Sequence, residues 1–443
     1  MEYLTGVRKK ETIGFDVLKE MKTSSETIKV EGALHSIRRM GEISFLILRS
    51  REGLLQTVHE QGGSGFELTE IREAVFVTAS GRLAEEERAP GGVELRLTDM
   101  RVLSAPEQPL PLAISKWKLN TSLEAKLNMR SVSLRNIKER AKFKIQEGMV
   151  RGFRDFFFDQ DFTEIHTPKI GSKGAEGGSN IFKLDYFHRP AVLAQSPQLY
   201  KQMMVGVFDR VFEVGPVFRA EKHNTKRHLN EYTSLDMEMG YIDDFGELMA
   251  METGLLQHIM GLLETKYEKE LKLLNVKLPQ TASIPCVRFD EAKQLVAVKY
   301  QRDIRTPYDL EPEEEVLIGR YFKEEYDADF VFVTHYPAKK RPFYAMEDPQ
   351  DETYTLSFDL LFRGMEITTG GQRIHAYREL LEKLEARGMS RDGLEQYLDT
   401  FKYGMPPHGG LGIGLERLTM KLLDEENVRE TTLFPRDMSR LEP

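Results

Sequence analysis

At 443 residues, 40% hydrophobic and 30% charged, the chain has room for two or three domains with a large core, and its single cysteine excludes an intrachain disulfide and a Cys-rich zinc site. A formal charge of −9 argues against general coating of nucleic acid, yet leaves room for local basic surfaces that hold one folded RNA at a few points. Charges interrupt every apolar run well before ~18 residues, and the N-terminal MEYLTGVRKKETIGFD has no apolar stretch of signal-peptide type, so the expectation is a cytoplasmic protein without a membrane span.

Short strands dominate to about residue 105. Ile28 to His35 alternates, Ser44 to Leu48 is apolar, Leu54 to Val58 follows a turn at Gly53, and Ala74 to Ala79 and Val93 to Val102 are further runs. Glu67 to Glu73 reads as a short helix between the third and fourth. Five strands with a helix in that place predict a small closed barrel of the oligonucleotide-binding type over residues 1–104. Arg38, Phe45 and Gln56 would offer it a guanidinium, an aromatic face and an amide, the groups that stack on and hydrogen-bond to unstacked bases. A lone phenylalanine on a strand is more often core.

Pro106, Pro109 and Pro111, without periodicity, mark residues 105–125 as a hinge. A long helical pattern runs from Leu127 to Phe158, and Phe153, Phe156, Phe157 and Phe158 give it more aromatic surface than one amphipathic face needs, which predicts packing against a second copy. The next stretch ends in a strand-edge proline, Pro168. GSKGAEGGSN, residues 171–180, is a glycine-rich loop with one carboxylate, Glu176, and reads as a lid.

Apolar runs around Val211 to Val217 and Leu235 to Met239 predict two antiparallel strands joined by a cationic loop holding Lys222, His223, Lys226, Arg227 and His228. Arg219 and Glu221 stand where the first strand ends, a rigid support from which a guanidinium can meet a phosphate. Cys286 is expected as a buried, inert thiol. The acidic helix Glu311 to Tyr326 reads as a solvated face with no special role, and Pro337 to Glu347 as the end of a strand begun at Phe330. Asp359 and Glu366, flanked by Leu360, Leu361, Met365 and Ile367, read as carboxylates on a buried strand that require a cation; a polar pair facing water is the alternative. Gly409 to Leu418 is a glycine-spaced strand entering a helix with Arg417 at the junction, and TLFPR, residues 432–436, is expected to cap that helix.

With Pro168, the stretches around Arg219 and Arg417 resemble, in order, the three signature motifs of class II aminoacyl-tRNA synthetases. The resemblance implies an α+β chain: an N-terminal OB-fold β-barrel that binds the anticodon, the hinge, and residues 126–443 as a class II catalytic domain, an antiparallel sheet flanked by helices, acting as a homodimer. It implies ATP as substrate and Mg²⁺ as cofactor. Arg219 and Arg417 would be catalytic, holding the α- and γ-phosphates, with Glu221, Arg227, His228, Leu229, Tyr232, Glu366, Gly414 and Glu416 as further ATP-binding positions. Tyr232 stands where a phenylalanine usually stacks on adenine, and Thr369, where serine is common, completes a metal set with Asp359 and Glu366.

Gln195 to Gln202 and Gly370 to His375 resemble signatures of aspartyl-tRNA synthetases of the archaeal and eukaryotic type. There the lysine and arginine matching Lys201 and Arg373 clamp the substrate's side-chain carboxylate. Gln198 and Asp236 match positions that receive its ammonium, and Glu176 lies in the loop that closes over it; Arg219 and Thr369 join this substrate-binding set. GALHSIRRMGEISFLILRS resembles the family's anticodon domain, where residues at Phe45 and Gln56 read the central uridine and Arg38 stands beside them. The implied reaction is activation of L-aspartate with ATP and transfer to tRNA(Asp). Members often carry tryptophan after the barrel glycine, but Gly32 is followed by Ala33. That position neighbours the base that separates the aspartate from the asparagine anticodon, and the loop Glu87 to Pro90 is expected to face it, so tRNA choice stays open between strict and relaxed toward tRNA(Asn).

Three alternatives stand beside this reading. An asparaginyl-tRNA synthetase would leave Lys201 and Arg373 facing a neutral amide. A paralogue passing aspartyl-adenylate to an acceptor other than tRNA would not need Arg38, Phe45 and Gln56. A catalytically inactive regulator that binds amino acid or tRNA would have been favoured by loss of a motif arginine or metal carboxylate, and none is lost.

Overall fold

In a computed structural model, which describes residues 6–442 apart from 63–65, 67, 69–70, 173, 175–179 and 223–224, the chain divides into two units, Met1–Arg140 and Ala141–Pro443. The first unit opens with a helix not expected from the sequence, α1 (Phe15–Met21), whose Phe15 and Leu18, one turn apart, are buried in the barrel core. Strands β1 (Ile28–Met40), β2 (Ile43–Ser50), β3 (Gly53–Glu60), β4 (Phe76–Glu85) and β5 (Val93–Ser104) close into a barrel of order β1-β2-β3-β5-β4. Alternation sends Val30, Leu46, Leu48, Leu55, Val77 and Leu95 inward with no exposure. The helix expected at residues 67–73 falls partly outside the described residues; Ile71 to Glu73 are not helical.

The single helix expected from Leu127 to Phe158 is broken. Short helices Leu123–Asn128 and Arg130–Ser133 precede a long one, α2 (Ile137–Asp159). Asn136 sets the restart: its Oδ1 accepts from the backbone N–H groups of Lys138 (3.0 Å) and Glu139 (3.3 Å), while its Nδ2 donates to the carbonyls of Ile114 (2.9 Å) and Lys116 (2.7 Å). An asparagine that caps a helix and anchors the preceding loop outweighs the continuous apolar pattern.

The second unit is built on an eight-stranded sheet. Its strands and helices, in chain order, are β6 (Thr163–Glu164), α3 (Gln198–Phe208), β7 (Arg210–Phe218), β8 (Glu231–Gly240), α4 (Gly246–Lys266), β9 (Cys286–Arg288), α5 (Pro312–Tyr326), β10 (Phe330–Thr334), β11 (Ser357–Phe362), β12 (Glu366–Arg373), β13 (His408–Gly414) and α6 (Leu415–Leu422). The spatial order is β9-β10-β11-β12-β13-β8-β7-β6, antiparallel but for the edge pairs β9–β10 and β6–β7. Helices α2 and α4 share its main core, which absorbs Phe153 and Phe157 against Phe212. Two of the phenylalanines expected to face a second copy are therefore internal, while Phe158 is 53% exposed.

Three further expectations change. DLLFRGME is a hairpin, not one strand: Arg363 and Gly364 turn it at φ 46° and 71°, which sets Asp359 opposite Thr369. Cys286 opens an edge strand of three residues and is exposed, not buried. TLFPR does not cap α6, which ends at Leu422; Arg436 instead bridges Glu231 at the start of β8. Among the described residues no helix is long and apolar enough to cross a membrane.

Candidate active site

β8 is the centre of the site, paired with β7 on one side and β13 on the other. It is buried from Ser234 to Gly240 although it carries Asp236 and Glu238. The glycine spacing of β13 makes room for them. A Cβ on Gly410 would stand 2.2 Å from Glu238 Oε2, and one on Gly412 would stand 3.0 Å from Asp236 Oδ1. Glycine there lets two acids enter the sheet at full register.

Those acids hold the two cations expected to recognise substrate. Lys201, on α3, places Nζ 2.9 Å from Asp236 Oδ1, 3.3 Å from Glu238 Oε2 and 2.9 Å from the Leu411 carbonyl. Arg373, at the end of β12, donates Nε to Glu238 Oε1 (2.8 Å) and Nη2 to the Gly410 carbonyl (2.9 Å). Burial works to raise the Glu238 carboxyl, but Arg373 and Lys201 outweigh it and hold the group below the usual carboxylate range. Glu238 was missed in the sequence; the signal was an acid two residues from Asp236 on an apolar strand, hence on the same face. Beside them Gln198 is buried with its amide nitrogen unpaired among the described residues, as is the Gln195 amide oxygen. Orphans of this kind cost about 1–3 kcal/mol each unless a ligand completes them.

At the other end, Arg219 leaves β7 with its side chain 43% exposed and its guanidinium 5.7 Å from the Tyr232 ring centroid. The loop is clasped by Asn230, whose Nδ2 donates to the carbonyls of Arg219 (2.7 Å) and Glu221 (3.1 Å). His228 Nδ1 lies 2.5 Å from Thr225 Oγ1 and its Nε2 3.5 Å from Glu221 Oε2. Leu229 packs in a small cluster with Met420 and Val428. Gly414 ends β13 as the N-cap of α6, whose first turn presents Glu416 and Arg417. Both Glu416 oxygens accept the Thr233 N–H at 3.0 and 3.1 Å, and burial pushes this carboxyl up to about 7. Arg417 donates Nη1 to the Glu366 carbonyl at 3.2 Å, with the Glu366 carboxylate 3.6 Å away. Burial would raise Glu366, but Arg417, Arg219 and Arg227 hold it below its ordinary value.

Every nucleotide and amino-acid position named from the sequence, among the described residues, lines one cavity of about 470 Å³. Glu176 lies outside the described residues. The metal position Asp359 does not line the cavity; it pairs at 2.8 Å with Arg341, which does. Thr369 Oγ1 donates to Glu366 Oε1 at 3.1 Å. Burial lifts the Asp359 carboxyl to about 6, with Arg341 opposing and Glu366 adding to the rise. Two carboxylates that repel each other beside a hydroxyl form a hard-oxygen set, and a divalent cation would relieve that repulsion.

A comparison with protein families matches residues 122–438 to the tRNA synthetases class II (D, K and N). The chain belongs to this family of class II tRNA synthetases. An aspartate–tRNA(Asp/Asn) ligase of Deinococcus radiodurans is 48% identical to this synthetase over 424 residues, covering 94% of this chain and 96% of that one. One of Thermus thermophilus, also an aspartate–tRNA(Asp/Asn) ligase, is 48% identical over 419 residues, covering 94% and 97%. The crystal structure of asparaginyl-tRNA synthetase from Pyrococcus horikoshii with asparaginyl-adenylate matches at TM-score 0.90 and 30% identity, covering 98% of this chain and 100% of that one.

On the barrel of the synthetase, Arg38 and Phe45 are directly paired across β1 and β2, and Gln56 follows on β3. Arg38 is exposed, and Phe45 is half-buried and outside the core formed by its neighbours Leu46 and Leu48. Gln56 donates to Glu94 Oε2 at 3.1 Å. Ala33 is buried opposite Phe76, the first residue of β4, whereas Glu87 to Pro90 follow its last residue. Around the other side of the barrel Ala33 pairs with Arg49 and Arg49 with Leu54, while Gln56, two residues on, pairs with Glu94 of β5, the strand that follows this loop. The sequence also gave Pro337 to Glu347 no chemistry, yet Lys339, Lys340 and Arg341 line the synthetase's cavity. The signal was three consecutive cations after a buried strand.

Proposed function

We propose that the chain activates L-aspartate with ATP to aspartyl-adenylate and transfers the aspartyl group to the 3′ end of tRNA(Asp) and of tRNA(Asn). The observation that carries the reading is the convergence of Arg219 and Arg417 with Lys201 and Arg373 on one cavity. The α-carboxylate of aspartate attacks the α-phosphorus and pyrophosphate leaves; the terminal ribose hydroxyl of tRNA then attacks the adenylate carbonyl and AMP leaves. Neither step needs a protein nucleophile, so the chain's task is alignment and charge compensation. Arg219 and Arg417 supply that charge from two separate elements. Mg²⁺ would be held by Asp359, Glu366 and Thr369 and would supply further positive charge to the phosphates.

With Lys201 and Arg373 fixed by Asp236 and Glu238, the recess offers the ligand side chain donors that accept nothing in return. A carboxylate satisfies them, and an amide NH₂ does not. This favours aspartate over asparagine, in line with the ligase names of the two relatives at 48% identity. Those names also support the relaxed tRNA choice. The reading further places the enzyme in the cytoplasm as a homodimer; the exposed Phe158 beside Leu433 supports the latter.

Aspartate-dependent exchange of pyrophosphate into ATP, with and without Mg²⁺, tests the activity; no exchange would leave only a binding role. Charging of purified tRNA(Asp) and tRNA(Asn) transcripts tests acceptor choice. A preference of ~100-fold or more for tRNA(Asp), ~2.7 kcal/mol, would reject relaxation.

A further inference from the structure

The acidic helix α5 is not uniformly solvated, as its sequence suggested. Glu314 and Glu315, adjacent in the chain, are 1% and 6% exposed. Glu314 closes on Lys293 of the helix Phe289–Lys299 at 2.7 and 2.8 Å, and so fastens α5 to its neighbour. Glu315 does something different. Its carboxylate accepts two bonds from Arg227 Nη2, at 3.0 and 2.8 Å, and a third from the backbone N–H of Glu366 at 3.0 Å. Arg227 belongs to the loop between β7 and β8, and Glu366 begins β12. Arg417 joins the same two residues from α6, with Nη1 on the Glu366 carbonyl at 3.2 Å and Nε 3.4 Å from the Arg227 carbonyl.

The approach of α5 to this point is built into the backbone. A Cβ on Gly319 would stand 2.5 Å from the Gly364 nitrogen, and one on Gly364 would stand 2.8 Å from Val316 Cα. Gly364 is also the turn residue between β11 and β12 at φ 71°. Helix and turn therefore touch backbone to backbone, close enough for a glutamate on the helix to bond the N–H of Glu366, where β12 begins.

We infer that Glu315 is a positioning residue for the nucleotide. It fixes where the Arg227 guanidinium and the backbone of Glu366 stand, from a helix outside all three signature stretches. The inference rests on the reading of the cavity as an ATP site. An arginine on a polar loop samples many rotamers, and a buried carboxylate that takes one of its nitrogens twice removes most of them before the nucleotide arrives. Arg227 Nε is buried and unpaired among the described residues, so the guanidinium is not saturated by this contact.

The test uses the full chain in aspartate-dependent pyrophosphate exchange, with ATP and aspartate titrated separately. Glu315→Gln keeps the size of the side chain and a carbonyl acceptor for the Glu366 N–H, but removes the charge facing Arg227. Gly319→Ala removes no polar group but forces α5, and Glu315 with it, away from the turn. Each is expected to raise KM for ATP tenfold or more while KM for aspartate stays within twofold and thermal unfolding stays cooperative. Combined with Arg227→Ala, Glu315→Gln should add less than twofold, because the two residues act as a unit. If Glu315→Gln does not fold, Gly319→Ala decides.

KM for ATP within twofold of the unsubstituted chain, an equal rise for both substrates, or full additivity with Arg227→Ala would each overturn the inference. Absence of exchange by the unsubstituted chain would instead defeat the ATP reading and this inference with it. The two failures are distinguished without any variant.

Discussion

On the barrel, Arg38 is exposed and Phe45 and Gln56 are half-buried, beside an apolar cluster that includes Leu46, Leu48 and Leu55; Gln56 reaches one buried acid, Glu94. In the catalytic unit, Lys201, Arg373, Asp236 and Glu238 are themselves buried, at 2%, 7%, 2% and 0% exposure, inside the sheet that carries the site. Of the residues proposed to read tRNA, Arg38 and Phe45 can thus change with little effect on what holds the barrel together. In the catalytic unit, the recognition proposed for Lys201 and Arg373 and the stability of the sheet use the same atoms. Buried pairs are neutral or costly as a whole, and removing one partner is what destabilises.

The sharpest way to break this contrast is Arg373→Ala. It leaves Glu238 buried with Lys201 as its remaining cation, and should cost about 3–5 kcal/mol in urea unfolding as well as abolishing aspartate activation. The double variant Arg373→Ala with Glu238→Ala should recover much of that stability and none of the activity. If the single variant is as stable as the parent, the buried network is not structural.

Arg219→Ala comes next and separates the two roles within the catalytic unit, because this side chain is 43% exposed. Exchange should fall by roughly 10²–10³ in kcat with little loss of stability. A large stability loss would show that the nucleotide end is built like the amino-acid end.

A buried acid with no cation partner among the described residues provides a third test. Glu252 on α4 is fully buried, accepts Thr368 Oγ1 at 2.6 Å, and is pushed up to about 8 by burial. Its folded pKa lies above the ordinary 4.5, so the folded chain binds the extra proton between those values and stability falls as pH rises through that window. Glu252→Gln should flatten the decline, on the order of a few kcal/mol between pH 5 and 8, in denaturant titrations at each pH. An unchanged slope would locate the pH dependence elsewhere.

The smallest effect belongs to the barrel. Phe45→Ala should weaken tRNA charging by about 1–3 kcal/mol, seen as a raised KM for tRNA, while pyrophosphate exchange and thermal stability stay as in the parent. Loss of stability comparable to that of Arg373→Ala would make Phe45 a core residue and erase the distinction between the units.

Much was legible in advance where one local rule acted alone. Period-two alternation marked the five strands of the barrel, and the apolar runs on either side of a cationic loop marked the β7–β8 hairpin. The breaks came where two rules competed. An apolar helical pattern crossed residue 136, but an asparagine able to cap and to anchor ended it there. Acids on α5 looked solvated because periodicity cannot say that glycine at 319 and 364 brings the helix against a turn.

What the sequence determined by itself is the order of the motif stretches, the strands that alternate, and which residue types could meet phosphate or carboxylate, because these depend on neighbours within a few positions. Only the tertiary structure decided the partners: Glu238 between Lys201 and Arg373, Arg341 on Asp359, and Glu315 on Arg227. A buried charge takes its partner from whichever element packs against it. That packing depends on backbone distances across the sheet, which spacing along the chain does not carry.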